Sequence, residues 1–286
     1  MTGLLNVIED KLRYLSKSQR ILAEYIVDNY DRAAFMTAIK LGETVGVSES
    51  TVVRFAYSLG YSGYPELQEA MQEMIKNRLT SIQRAHLAST IQPADMLKTV
   101  LYRDMNNLEE TLDINETDTF IRVVDAVMNA QRIFVLGGRN SYPLAEYFGN
   151  YMRYIMDDVI TVDTLRQDMI GSLITLNEGD TCFAIHFPRY SKRTMDAIRY
   201  AYEHGSRIIL LTDSETAPAV PYADLVLYAE CDMVSVADSL AAPASVLSAI
   251  IASVCNEKKD KMTERLQSLE RIWSAEDVFV TEGSVE

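Results

Sequence analysis

The chain has 286 residues, enough for one large or two ordinary domains, and 48% hydrophobic with 24% charged residues is normal for a soluble globular protein and not for a disordered one. Its formal net charge of −14 is unevenly spread: residues 1–78 hold 9 Lys and Arg against 10 Asp and Glu, and the remainder holds 18 against 31. A nearly neutral N-terminal part is able to bind phosphate through a local patch, but it lacks the basic excess that marks a nucleic-acid binder from charge alone.

From Leu4 to Tyr30 the apolar residues Leu4, Ile8, Leu12, Leu15, Ile21, Leu22, Tyr25 and Ile26 repeat at helical spacing, with Ser16 or Ser18 as the cap between two helices. No run of eighteen apolar residues occurs, and MTGLLNVIEDKLRYL carries acids inside an amphipathic pattern where a signal peptide has an apolar core. A cytoplasmic protein with no membrane partner is expected.

The stretch from Thr37 to Gly63 reads as two short helices crossing at a tight turn. Ala38, Leu41 and Val45 share one side of the first helix, and Val52, Phe55, Ala56 and Leu59 share one side of the second. Between them Gly46 takes the left-handed conformation that ends a helix, Val47 plugs the corner, and the Ser48 hydroxyl caps the next helix. With its apolar side buried, the second helix turns Glu49, Ser50, Val53, Arg54 and Tyr57 outward, a face short enough to enter a major groove. The candidate DNA-contacting residues are Ser48, Glu49, Ser50, Thr51, Arg54 and Tyr57. An ordinary helical hairpin in a larger core is the competing reading.

A turn at Tyr61-Ser62-Gly63-Tyr64-Pro65 precedes a helix of about Glu66 to Arg78. In order, Val47-Ser48, Ser50-Thr51-Val52-Val53-Arg54-Phe55, Leu59-Gly60-Tyr61 and Gly63-Tyr64-Pro65-Glu66-Leu67 resemble the RpiR/MurR family of bacterial transcriptional regulators. That resemblance implies a helix-turn-helix domain coupled to a sugar isomerase (SIS) domain. Gly42 departs from the family, which usually has alanine there, and implies a closer helix contact at a helix-propensity cost of about 1 kcal/mol.

Residues 79–115 are polar and helical in pattern, broken by Pro93, and read as a linker with a lead-in helix from Ala94 to Leu112. Met96, Val100, Leu101 and Leu108 form either a dimer seam or a face packed on the chain's own second domain. Residues 116–286 then alternate strands with helices. The runs Arg132–Leu136, Val159–Val162, Thr181–Phe187, Arg207–Thr212 and Asp224–Tyr228 are separated by helical stretches at Tyr142–Ile155, Leu165–Leu176 and Lys192–Glu203. Continuous apolar strands imply a doubly wound parallel sheet, an α/β domain behind an all-α one, with ligands beyond the carboxyl ends of the strands.

Two strand ends carry suitable groups. Gly138, Arg139, Asn140 and Ser141 follow the first strand, where backbone approaches an anion and Ser141 opens a helix; a tight turn with a serine cap is the plainer reading. Arg189, Tyr190, Ser191, Lys192, Arg193 and Thr194 follow the third strand and crowd cations onto a helix N-terminus, which opposes the dipole unless an anion lies between them. The resemblance implies that Ser141, Ser191 and Thr194 match phosphate-binding residues of SIS domains, with Lys192 in place of the usual Gly and His186 in place of an opening Ser. His186 is either a ligand contact or a rim histidine satisfied by backbone. Ser239 lies near the sugar or is a plain helix cap.

Cys182, Cys231 and Cys255 are odd in number and far apart, which speaks against a disulfide framework and a zinc site; no metal and no cofactor is expected. A phosphosugar isomerase needs a tuned base beside the sugar, and Glu178, Glu230 and Glu257 are candidates by region only. No catalytic residue is therefore assigned. The chain is expected to be a DNA-binding regulator of carbohydrate metabolism that senses a phosphosugar and binds operator DNA as a homo-dimer or tetramer. An SIS-fold phosphosugar isomerase with an accessory helical domain is the alternative.

Overall fold

The structure is a computed structural model that describes residues 4–78, 84, 89, 91–166 and 168–279. The chain divides into two units, Met1–His86 and Leu87–Glu286.

In the first unit α1 (Leu4–Lys11) runs through a short 3₁₀ turn into α2 (Lys17–Ala33), and α3 (Ala38–Val45), α4 (Glu49–Leu59) and α5 (Tyr64–Arg78) follow. Ser16 and Gln19 form a capping box at the start of α2: the Ser16 N–H donates to Gln19 Oε1 at 3.0 Å and the Gln19 N–H to Ser16 Oγ at 3.4 Å. Leu22, Ile26, Leu41, Val52, Phe55, Leu67 and Met71 are fully buried and make one core. Each such side chain contributes about 1.5–3 kcal/mol by leaving water. The Tyr64 hydroxyl donates to the Met36 carbonyl at 2.7 Å and ties the start of α5 to the end of the α2–α3 connection. Burial pushes that phenol up to about 12.

The second unit opens with α6 (Pro93–Ile114), whose proline occupies the first turn where its missing N–H costs nothing. The helix expected from Ala94 thus forms as part of this unit, while most of residues 79–90 lie outside the described residues. After α7 (Thr117–Met128) come β1 (Ile133–Gly137), α8 (Tyr142–Ile155), β2 (Val159–Asp163), α9 (Met169–Leu173), β3 (Thr181–Ile185), α10 (Lys192–Glu203), β4 (Arg207–Thr212) and β5 (Leu225–Tyr228). The long α11 (Ala241–Glu257) and α12 (Lys259–Ala275) close the unit.

The five strands are parallel in the order β2-β1-β3-β4-β5. Alternate residues of one strand feed opposite faces: Ile133 and Val135 enter the core under α7, α8 and α11, while Phe134 and Leu136 enter the core under α9 and α10. Burial on both faces is what the continuous apolar runs demanded. At the sheet's lower edge the Arg132 guanidinium makes a paired contact with Asp180, Nε to Oδ1 at 2.9 Å and Nη2 to Oδ2 at 2.7 Å, which clamps the starts of β1 and β3.

The stretch Leu165–Leu176 forms a helix only over Met169–Leu173. Asp163 accepts the Leu165 N–H, and Arg193 takes the carbonyls of Leu165 and Arg166, so those backbone groups are used before a helix can claim them. The Asp168 carboxylate then accepts from the Gly171 N–H and starts the short helix.

Candidate functional site

In the first unit the candidate nucleic-acid interface is built on the corner between α3 and α4. Gly46 has φ +80° and its N–H, with that of Val47, closes on the Gly42 carbonyl at 2.8 and 2.9 Å. That is the left-handed C-cap expected from sequence. A Cβ on Gly42 would lie 2.7 Å from the Val47 carbonyl oxygen, so glycine here lets the corner fold tightly onto α3. Val47 packs against the core beneath.

Ser48 sits at the cap position of α4 with extended backbone, but its hydroxyl makes no cap bond. It lies instead 3.0 Å from Ser50 Oγ and 2.9 Å from Thr51 Oγ1, a hydroxyl cluster on the surface. Arg54 is held along the helix by Nε donating to the Ser50 carbonyl at 3.1 Å. Glu49, Ser50, Arg54 and Tyr57 are exposed, Tyr57 to 58%, whereas Thr51 and Val53 are half-buried and Val53 packs on the core. The helix thus presents serines, one guanidinium, one carboxylate and one phenol outward, a set able to donate to and accept from base edges and phosphates.

In the second unit the candidate ligand site lies at the carboxyl ends of β1 and β3. These neighbours are where the strand order reverses, since β1 leads outward to β2 and β3 leads the other way to β4; the crevice of a doubly wound sheet opens at that point. The loop after β1 passes through Gly138, Arg139, Asn140 and Ser141 into α8, and the loop after β3 passes through His186 to Ser191 into α10.

The two loops touch. A Cβ on Gly138 would lie 2.3 Å from Thr164 Oγ1 and 2.8 Å from Thr194 Oγ1, so only glycine admits this approach. The Thr164 hydroxyl donates to the Gly137 carbonyl at 3.2 Å and pairs with Thr194 Oγ1 at 2.7 Å, so Thr194 supplies the proton of that pair. Ser191 caps α10, its Oγ accepting from the Thr194 N–H at 3.4 Å. Arg193 reaches the loop after β2 through the two carbonyls already named. Asn140 donates to Asp238 Oδ2 at 2.9 Å, which draws the segment before α11 to the same rim. Ser239 precedes α11, whose cap residue is Leu240; its hydroxyl donates to Asp104 Oδ1 of α6 at 2.7 Å and accepts from the Ala241 N–H at 3.3 Å.

Ser141 is buried as the last residue of a 3₁₀ turn, and its hydroxyl makes no cap bond to α8. His186 is 2% exposed, with Nε2 donating to the Ser191 carbonyl at 3.2 Å and Nδ1 buried without a hydrogen-bond partner. Burial holds its pKa down to about 4 against the smaller opposing pull of the Ser191 carbonyl. The imidazole is therefore neutral near pH 7. The ring of Tyr190 lies 5.1 Å from it, and the Tyr190 hydroxyl donates to Asp213 Oδ1 at 2.7 Å.

Both loops are bent through left-handed residues, Arg139 at φ +55° and Arg189 at φ +60°. A non-glycine residue in that region costs on the order of 1–3 kcal/mol and persists where surrounding contacts enforce it. Both bends put an arginine at the rim. Among the described residues the side chains of Arg139 and Lys192 are exposed and have no hydrogen-bond or ion-pair partner. Two uncommitted cations thus stand where α8 and α10 begin, a position whose free N–H groups and dipole favour an anion.

Sequence reasoning missed Thr164 and Asp104, the partners of Thr194 and Ser239, which come from other elements and carry no local pattern; Asp213 and Asp238, the partners of Tyr190 and Asn140, lie in stretches that resemble the SIS pattern but were given no role. No helix among the described residues is long and apolar enough to cross a membrane.

Comparison with known proteins matches the helix-turn-helix domain of the rpiR family over residues 2–78 and the SIS domain over residues 127–254. The chain is 30% identical over 219 residues to the uncharacterized HTH-type transcriptional regulator YfhH of Escherichia coli, covering 74% of this chain and 76% of that protein. It is 26% identical over 213 residues to the HTH-type transcriptional regulator HexR of Pseudomonas aeruginosa, covering 74% of each. The NanR protein of Vibrio vulnificus, solved in complex with ManNAc-6P, superposes with a TM-score of 0.59 over 98% of this chain and 100% of that one at 19% identity.

Proposed function

The chain belongs to the RpiR family of helix-turn-helix transcriptional regulators that carry a SIS domain, and on that premise we propose that it binds operator DNA through α4 and senses a phosphosugar at the rim of β1 and β3. The observation that carries the effector half is the pair Arg139 and Lys192, exposed cations without a partner among the described residues, at two helix starts inside the acidic part of the chain. The helix starts supply N–H groups to the phosphate, the two cations offset its charge, and the hydroxyls and carboxamide nearby meet sugar hydroxyls. The ManNAc-6P in the NanR complex supports a ligand of this class.

The DNA half rests on the outward residues of α4. Arg54 is the group best suited to a guanine edge, Ser48, Glu49, Ser50 and Thr51 lie at the helix start that leads into the groove, and Tyr57 flanks it. The nearly neutral first unit gains little from phosphate attraction, so two copies acting on a two-fold operator raise affinity through effective concentration. Effector binding then changes operator affinity by a coupling of about 1–3 kcal/mol, or 5–150-fold.

A thermal-shift screen of phosphosugars against their unphosphorylated counterparts tests the effector: only the former raise the melting temperature, and Arg139→Ala with Lys192→Ala abolishes the shift. Binding to DNA upstream of the protein's own gene tests the reader. Arg54→Ala weakens specific binding by about 1–3 kcal/mol, roughly 5–150-fold, with the melting temperature unchanged. Turnover of a phosphosugar between ketose and aldose, together with no operator binding, would replace this reading by the isomerase.

A further inference from the structure

The mean charge of residues 1–78 gives them little pull on phosphate, but that charge is not spread evenly. Between Asp10 and Glu24 the chain carries Lys11, Arg13, Lys17 and Arg20 and no acid, which leaves five of the nine cations of residues 1–78 against all ten of their acids elsewhere. The four cations lie on the 3₁₀ turn Leu12–Tyr14 and on the helix ends to either side of it. The turn is fixed in shape. Leu15 is buried beneath it, and Arg20 donates from Nε to the Leu15 carbonyl at 3.2 Å and from Nη2 to the Arg13 carbonyl at 3.4 Å. Two contacts seat it on the last turn of α4: Lys11 Nζ donates to the Ser58 carbonyl at 3.0 Å, and Gln19 Nε2 to Ser58 Oγ at 3.4 Å. Among the described residues the side chains of Arg13 and Lys17 are exposed and have no hydrogen-bond or ion-pair partner, and Tyr14 between them is 87% exposed.

We infer that this turn is a second contact with duplex DNA, made with the phosphates that flank the groove α4 enters; the inference rests on the reading of α4 as the DNA reader. The 11 residues of α4 span about 16 Å, and a major groove is about 12 Å wide. A helix that enters by its N-terminal residues therefore brings its last turn to the phosphate rim. That end of a helix is ill suited to an anion, because its free carbonyls and dipole carry negative charge. Lys11 on the Ser58 carbonyl offsets that charge, and Arg13, Tyr14 and Lys17 supply donors of the kind that hold phosphate oxygens. A merely solvated turn has no reason to exclude acids, or to start α2 with Lys17 and Arg20, where the dipole disfavours cations. A polyanionic backbone beside the turn accounts for both. The contact is made to phosphate and not to bases, so it acts on duplex of any sequence and fixes how far the reading face is inserted.

The salt dependence of binding to a short random-sequence duplex tests this on the full chain without knowledge of the operator. Arg13→Ala with Lys17→Ala weakens binding on the order of tenfold at about 0.1 M salt and lowers the slope of log K against log salt by about 2, since each phosphate contact contributes about 0.9. Both side chains are exposed, so the melting temperature of the variant is unchanged. Arg13→Lys with Lys17→Arg keeps the charge and binds like wild type. Lys98→Ala with Arg122→Ala removes the same charge from exposed positions of the second unit and leaves affinity and slope at their wild-type values. Equal weakening by that second pair overturns the contact, because net charge alone would then explain the loss. Wild-type affinity and slope after loss of Arg13 and Lys17 overturn the contact and leave the α4 reading standing, whereas a wild-type chain that binds no duplex at low salt overturns both.

Discussion

Both candidate sites begin with a serine at a helix cap, and the two serines behave differently. Ser191 caps α10, Thr194 is buried against Thr164, and Arg193 is spent on backbone carbonyls, so the ligand loops are held by the residues that sequence marks as ligand contacts. Among the described residues the Ser48 hydroxyl bonds to neighbouring hydroxyls and not to its helix's N–H groups, and Arg54 is anchored to its own helix. The rim after β1 and β3 is held by internal contacts, and Arg139 and Lys192 stand exposed on it. The α4 face makes few contacts through its outward polar groups and draws its rigidity from the corner and core beneath.

The largest effect that sharpens this contrast comes from the two glycines. Gly138→Ala drives a methyl into Thr164 and Thr194 and costs about 3 kcal/mol, together with loss of the phosphosugar-induced thermal shift. Gly46→Ala meets open space and pays only for its left-handed backbone, about 1–2 kcal/mol. Urea unfolding followed by the single Trp273 reports on the second unit, and the circular dichroism transition reports on both. Equal losses at both positions would erase the distinction between contact and conformation.

Next comes the buried histidine. Its folded pKa of about 4 lies below the ordinary value, so the unfolded chain takes up a proton that the folded chain refuses. Stability is therefore whole above about pH 6.5 and falls as the pH drops toward 4. Between pH 7 and pH 5 the loss is about 2 kcal/mol, and His186→Gln flattens the Trp273 urea midpoint over that interval by the same amount. A variant with the wild-type slope would mean that His186 is solvated.

The smallest effect is the most direct comparison. Ser191→Ala removes a working cap and costs about 1 kcal/mol. Ser48→Ala removes none, so its effect on stability is about zero and its effect on operator binding is separable, read as a gel shift against an unchanged melting curve.

Much of the fold was legible because its causes are local. Tyr142–Ile155, Lys192–Glu203 and Arg207–Thr212 form over the residues their patterns mark, Gly46 ends its helix left-handed, and the apolar runs pair as parallel strands. Strand order was not legible, since nothing within β1 or β3 says that they are neighbours. The site was read as residue types at helix starts, but the division of labour among them depends on Thr164, Asp213, Asp238 and Asp104, which lie 23 to 135 residues from the groups they hold. The helix at Leu165–Leu176 was over-read because apolar periodicity does not reveal that Arg193 takes two of its carbonyls. For α6, Leu101 and Leu108 carry the outward pattern in sequence, but Asn107 and Thr111 look like solvent-facing residues until their backbone partners are seen.

The inward polar row of α6 also fixes how that helix is turned on its own unit. Asp104 and Thr111 accept and Asn107 donates directional hydrogen bonds, which oppose a roll of the helix that would hide its leucines in the chain's own core. Leu97, Leu101, Met105 and Leu112 therefore stay in solvent in the single chain, held there by what their polar neighbours are bonded to and not by their own preference.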